Sequence, residues 1–208
     1  IMAEEFITKH GAKPSFKGLY GFPSSLCISV NEQVIHGFPG GYVLKEGDIV
    51  SIDCGACING FHGDAARTFP VGKVSSEAQR LIDITKESFF EGIKHAKIGN
   101  RLSDISHEIQ SYVEAAGFSI VRDFVGHGIG RNVHEDPNVP NFGKSGRGPK
   151  LVEGMVLAIE PMVNAGTHQV RTLKDRWTVV TADNCLSAHY ENTVAILSDG
   201  PEILTLIK

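Results

Sequence analysis

The dipeptide Asn59-Gly60 divides two strand-like runs, Asp48–Ile58 and a second run that ends near Val71. Asn-Gly in that setting is the strongest short-range signal for a two-residue hairpin, because both turn positions need the left-handed backbone. A hairpin closed there pairs Asp53 with position 66. Asp64 then lies two residues from that partner, on the same face as Asp53 and diagonally beside it. Asp is depleted in strand interiors. Two carboxylates projecting together from an apolar hairpin repel unless a cation lies between them. The competing account is a solvated face with Arg67 or Lys73 nearby.

Three further segments favour the cation. Glu160 stands inside the apolar run Val156–Val163, and Glu191 inside Ala188–Val194. Buried charges persist only when paired or bound to a metal. His127 sits in Gly126-His-Gly-Ile-Gly130, where glycines let backbones approach and leave the imidazole uncrowded. Four carboxylates and one imidazole suit a pair of divalent ions such as Mn²⁺, Fe²⁺, Co²⁺ or Zn²⁺. Such pairs sit about 3.5–4 Å apart and activate a shared water. No HExxH, zinc-finger spacing or G-x-S-x-G occurs, and the glycines at 126, 128 and 130 are wrongly spaced for a dinucleotide loop.

Asp53 and Asp64 eleven apart, Gly-His127-Gly-Ile-Gly, Ile-Glu160-Pro-Met and His-Tyr-Glu191-Asn-Thr together closely resemble the type I methionine aminopeptidases, from about Phe16 to the C-terminus. The resemblance implies the α+β pita-bread fold, a pseudo-two-fold, mostly antiparallel sheet with helices on its outer face. It implies two divalent ions (Co, Mn, Fe or Zn). Asp53 would hold one, Asp64 and Glu191 would bridge, and His127 and Glu160 would complete the other. It implies hydrolysis of the N-terminal methionine from nascent proteins and peptides, through attack of a bridging water on the first peptide carbonyl. Glu160 would relay the proton, with His36 and His134 contacting the substrate as further catalytic residues. Phe22, Cys27 and Trp177 match the family's methionine pocket, with Tyr20 and Leu19 as weaker matches.

The rest of the chain fits one domain over residues 1–208, and the family's N-terminal segment is expected to be missing. Residues 3–10 read as a helix tail, and short strands are expected around Cys27–Val30 and Val34–His36. Ser76-Glu-Ala-Gln79 reads as a capping box for a helix reaching toward Gly99, and Ser103 as the cap of a second one closed by Gly117. Strands are expected around His127 and at Met155–Val163, Trp177–Thr181, Tyr190–Leu197 and Ile203–Ile207, with a loop over 136–150. Cys54 and Cys57, three apart on a strand, point to opposite faces and read as packed thiols. Four cysteines in 208 residues suit a reduced compartment, and no run approaches the ~18 apolar residues of a membrane span. The expected setting is the cytoplasm, and the expected form a monomer. A net charge of −4 gives no general pull toward nucleic acid. The basic loop 144–150 is a candidate contact for the ribosome, although a solvated loop is the simpler account. Two rivals share the fold: proline-directed peptidases, which carry a large extra N-terminal domain, and non-catalytic modules that have lost metal ligands.

Overall fold

The computed structural model describes residues 1–206. Helix α1 (Met2–Lys9) opens the chain, followed by β1 (Lys13–Pro14), β2 (Cys27–Val30) and β3 (Gln33–Ile35). The long hairpin β4 (Ile49–Ile58) and β5 (Phe61–Pro70) has the expected register, with Ile58 opposite Phe61, Asp53 opposite Ala66 and Gly55 opposite Asp64. Asn59 at φ 53° and Gly60 at φ 80° supply the positive dihedrals the two-residue turn requires. Strands β1 and β2 pair antiparallel with the other edge of β4.

Helices α2 (Ser76–Ile93) and α3 (Leu102–Ala115) follow. Both caps differ from expectation. Ser75, one residue earlier than Ser76, caps α2 by accepting the Ala78 N–H at 3.1 Å. At α3, Asp104 accepts the Arg101 N–H at 2.7 Å, whereas Ser103 donates to the Arg147 carbonyl at 2.9 Å. The loop at 144–150 is thereby anchored, and Ser145 also bonds Asp104 at 2.6 Å. Helix α2 stops at Ile93 because the chain from Lys94 to Asn100 turns through short-range hydrogen bonds.

The second half is all strand: β6 (Ser119–Ile120), β7 (Gly126–Gly128), β8 (Glu135–Val139), β9 (Val156–Ile159) and β10 (Met162–Asn164) come first. Then follow β11 (Val170–Thr172), β12 (Val179–Thr181), β13 (Ser187–His189), β14 (Asn192–Leu197) and β15 (Gly200–Ile203). Strand β8 occupies part of the segment expected as loop, β11 was not anticipated, and β12 begins two residues after Trp177. The last strand ends at Ile203, and Ile207 lies outside the described residues.

The most consequential difference concerns the two long apolar runs. Each is broken at its glutamate: Glu160-Pro161 separates β9 from β10, and Tyr190-Glu191 separates β13 from β14. Pro161 cannot donate to a ladder, which favours a break in the strand there. Strands β9 and β14 pair in the sheet β15-β14-β9-β7-β8, while β10 and β13 pair in the sheet β13-β10-β6. The two glutamates thus share one joint between sheets. Every strand pairing among the described residues is antiparallel, including the fourth sheet β11-β12-β3.

Alternation across that joint sorts the side chains. Leu157, Ile159, Val163, Ala188 and Tyr190 enter the main core with Leu81, Phe89, Ile105, Ile109 and Val113 of the helices. Burying each large one contributes about 1.5–3 kcal/mol. The intervening residues Glu160, His189 and Glu191 face the other way. Helices cover one face and carboxylates occupy the opposite one, which is an α+β architecture with helices outside.

Candidate metal centre and peptide cleft

Backbone register alone brings three of the predicted residues together. Cys27 pairs with Asp53, Asp53 with Ala66, and Ala66 exchanges backbone hydrogen bonds with Glu191 at 3.0 and 3.4 Å. Directly opposed residues present their side chains on the same face, so one thiol and two carboxylates project side by side. Asp64 is fixed by Thr193, whose hydroxyl accepts the Asp64 N–H at 2.8 Å and donates to its carbonyl at 3.0 Å.

Arg67 leaves β5 from the opposite face and is the clamp on the joint. It donates to the carbonyls of Ala66 (2.7 Å) and Glu191 and to Asn192 Oδ1 (2.6 Å). Its guanidinium also lies 4.2 Å from the centroid of the Tyr190 ring. The sequence suggested Arg67 only as a neutralising neighbour of the aspartates. Its partners Glu191 and Asn192 lie about 125 positions away, which no local pattern reveals.

His127 owes its position to its flanking glycines. A Cβ at Gly126 would strike the Ala158 carbonyl, and one at Gly128 the Asp136 carbonyl, so β7 lies unusually close to both neighbours. The imidazole Nδ1–H donates to the Gly128 carbonyl at 2.8 Å, which leaves Nε2 as a lone-pair donor facing the cavity. That atom is 3.7 Å from Glu160 Oε1. Glu160 Oε2 lies 3.6 Å from Nε2 of His189, a buried histidine not singled out from the sequence. Asn141 donates to the Glu160 carbonyl at 3.0 Å and fixes the joint from below.

The donor set fits a divalent cation. Ligand atoms of Asp64, His127 and Glu191 all lie within 4.8 Å of one another. Asp53 Oδ1 and Asp64 Oδ1 are buried without a hydrogen-bond partner, an arrangement that stays costly until a cation satisfies it. Burial lifts the carboxyls of Asp64 and Glu160 to about 7. Burial together with the neighbouring carboxylates drives Asp53 and Glu191 well above the usual range.

The metal-free protein should therefore become less stable as pH rises from about 7 to 8.5. The folded state holds carboxyl protons that the unfolded chain has already released, whereas unfolded histidines, with pKa about 6.5, are mostly neutral there and offset little of the loss. We expect the melting temperature of chelator-treated protein to fall by roughly 3 °C or more over that range. An added divalent ion should flatten the dependence.

All twelve predicted site residues border one cavity of about 560 Å³ that is open to solvent. Its apolar end is a cluster of Phe16, Phe22, Cys27 and Val133 with Leu19, Phe38 and Trp177 against it. Phe22 meets Trp177 edge-on at 5.1 Å. Tyr20 does not belong to that wall. It is 75% exposed, and its ring stacks on His134 at 5.8 Å, placing it at the rim. His134 lies edge-on to His127 at 4.5 Å. Burial pushes His36 down to about 4 and also lowers His134, so both imidazoles are neutral at physiological pH.

A family model described as metallopeptidase family M24 matches residues 1–198. A methionine aminopeptidase from Clostridium perfringens is 78% identical over 207 residues, covering 100% of this chain and 83% of that protein. Methionine aminopeptidase 1 of Bacillus subtilis is 56% identical, covering 99% and 83%. The crystal structure of methionine aminopeptidase from Rickettsia prowazekii superposes with a TM-score of 0.97 at 44% identity, covering 99% of this chain and 83% of that one. Prolidase from Pyrococcus furiosus superposes at 0.76 with 24% identity over 54% of its length, a likeness of fold alone.

Proposed function

The chain belongs to metallopeptidase family M24, and from that premise we propose that it is a methionine aminopeptidase of the pita-bread fold, releasing N-terminal methionine from peptides and new proteins. The observation that carries this reading is the gathering of Asp64, His127 and Glu191 donor atoms within 4.8 Å, beside an apolar pocket built from Phe22, Cys27 and Trp177. A divalent-metal site and an apolar pocket that admits an unbranched side chain are the two things this reaction needs.

In this reading Asp53, Asp64, His127, Glu160 and Glu191 hold two divalent ions. When bound, the ions supply Lewis acidity and a water acidic enough to deprotonate near neutral pH. The chain's own groups do the rest. Phe22, Cys27 and Trp177 receive the methionine side chain and exclude water from it. Glu160 takes the proton of the attacking water and passes it to the departing amine. His36 and His134, both neutral, offer N–H donors to the scissile peptide and to the oxygen on which charge develops. Co, Mn, Fe and Zn all suit four carboxylates and one imidazole.

In this proposal the protein acts on nascent chains in the cytoplasm, a reading supported by four unpaired cysteines, and works as a monomer. No helix among the described residues is long and apolar enough to cross a membrane. A ribosome contact through the loop at 144–150 is a secondary element of the proposal.

Assay of Met-Ala-Ser against Ala-Pro-Ala tests the function. Release of free methionine from the first with little attack on the second is expected; preference for Ala-Pro-Ala would transfer the site to the proline-directed peptidases.

A further inference from the structure

Beside the methionine pocket lies a second opening that shares part of its wall. His36, His127, His134 and Glu160 border both, but beyond them the second is bounded by Phe124 and by the carboxylates of Asp123, Glu135 and Asp136. The first opening ends against the buried side chains of Phe22 and Cys27. For a peptide whose methionine fills that end and whose first peptide bond meets the shared wall, the second opening lies directly beyond that wall.

The charge of this exit groove is one-sided. Asp123 and Asp136 are exposed, and Glu135 accepts the Asn132 N–H at 2.8 Å. Among the described residues, no lysine or arginine borders the groove. Arg122, next in sequence to Asp123, is turned to other partners: it lies 3.7 Å from Glu114 and 5.9 Å from the Phe142 ring centroid. Arg131 lies 4.7 Å from the ring centroid of Phe61.

We propose that this groove receives the residues that follow the N-terminal methionine, and that Asp123 and Asp136 make it select a cationic over an acidic side chain at the third position of the peptide. The proposal rests on the aminopeptidase reading above. Exposed charges interact weakly through water, so the expected discrimination is about fivefold in kcat/KM at low salt. It shrinks as salt screens the groove.

The test compares Met-Ala-Lys-amide with Met-Ala-Glu-amide on the metal-loaded protein, using the ratio of their kcat/KM values, which cancels differences in folded fraction and metal occupancy. A ratio near five in favour of lysine at low salt, falling toward one at high salt, is expected. In the double variant Asp123→Asn with Asp136→Asn the ratio should fall toward one at low salt as well. A wild-type ratio of one or less, or a ratio unchanged in the double variant, overturns the proposal while leaving the aminopeptidase reading intact. Failure to release methionine from Met-Ala-Ser as well as from both amides would remove both.

Discussion

Replacing Asp64 with Asn should lower methionine release by at least ~10³-fold, because the site loses a carboxylate at its centre. Asn nearly matches Asp in shape but offers a cation only one acceptor and turns an N–H donor toward it. The buried, unpartnered Oδ1 of Asp64 has no structural bond to lose. In the metal-free state the substitution replaces one of four crowded, buried carboxyl groups with a neutral amide, so the chelated variant should melt at the same temperature as the parent or higher. The combination decides the role. A carboxylate kept for structure would lose stability when neutralised, whereas a ligand loses metal and activity and relieves repulsion. Elemental analysis beside thermal melting reads both at once, and a variant that keeps its full metal content would remove Asp64 from the ligand set.

The second large effect belongs to His134. His134→Ala should reduce kcat by about 10²–10³-fold, in line with the ~3–4 kcal/mol contributed by a donor aimed at developing charge. Metal content should stay near normal. The residue sits half-covered at the cavity mouth, its ring stacked on Tyr20 and edge-on to His127 at 4.5 Å. Its removal opens no core cavity, so the melting temperature should hardly change. Loss of metal in this variant would make His134 a ligand and change the assignment of the whole centre.

How much of this could be read beforehand follows from the range of each interaction. Asn59-Gly60 specifies its turn locally, so the hairpin register and the Asp53–Asp64 juxtaposition were legible to the residue. The glycines around His127 likewise announced a close approach of backbones. Helix caps were less legible: Ser75 and Ser76 are chemically alike, and only the folded backbone selects Ser75. Apolar runs do not show where a strand changes sheet, so Glu160 and Glu191 were read inside strands although both sit at a break. Pro161 was the available signal for the first break; the second lies opposite it through the Tyr190–Pro161 backbone bond of 3.2 Å. Arg67, Thr193 and His189 act across the fold, and nothing near them in sequence marks that role. The proposed methionine pocket was legible only through family likeness, since Phe22 and Trp177 alone would pass for core aromatics.

The most direct measurement is a titration of chelator-stripped protein with Mn²⁺ or Co²⁺, following bound metal and methionine release from Met-Ala-Ser together. Release should start at background and rise with metal, binding should reach two ions per chain, and Asp64→Asn should show neither the rise nor that stoichiometry. Full turnover by the stripped protein, or activity that appears with no stoichiometric binding, would contradict the account.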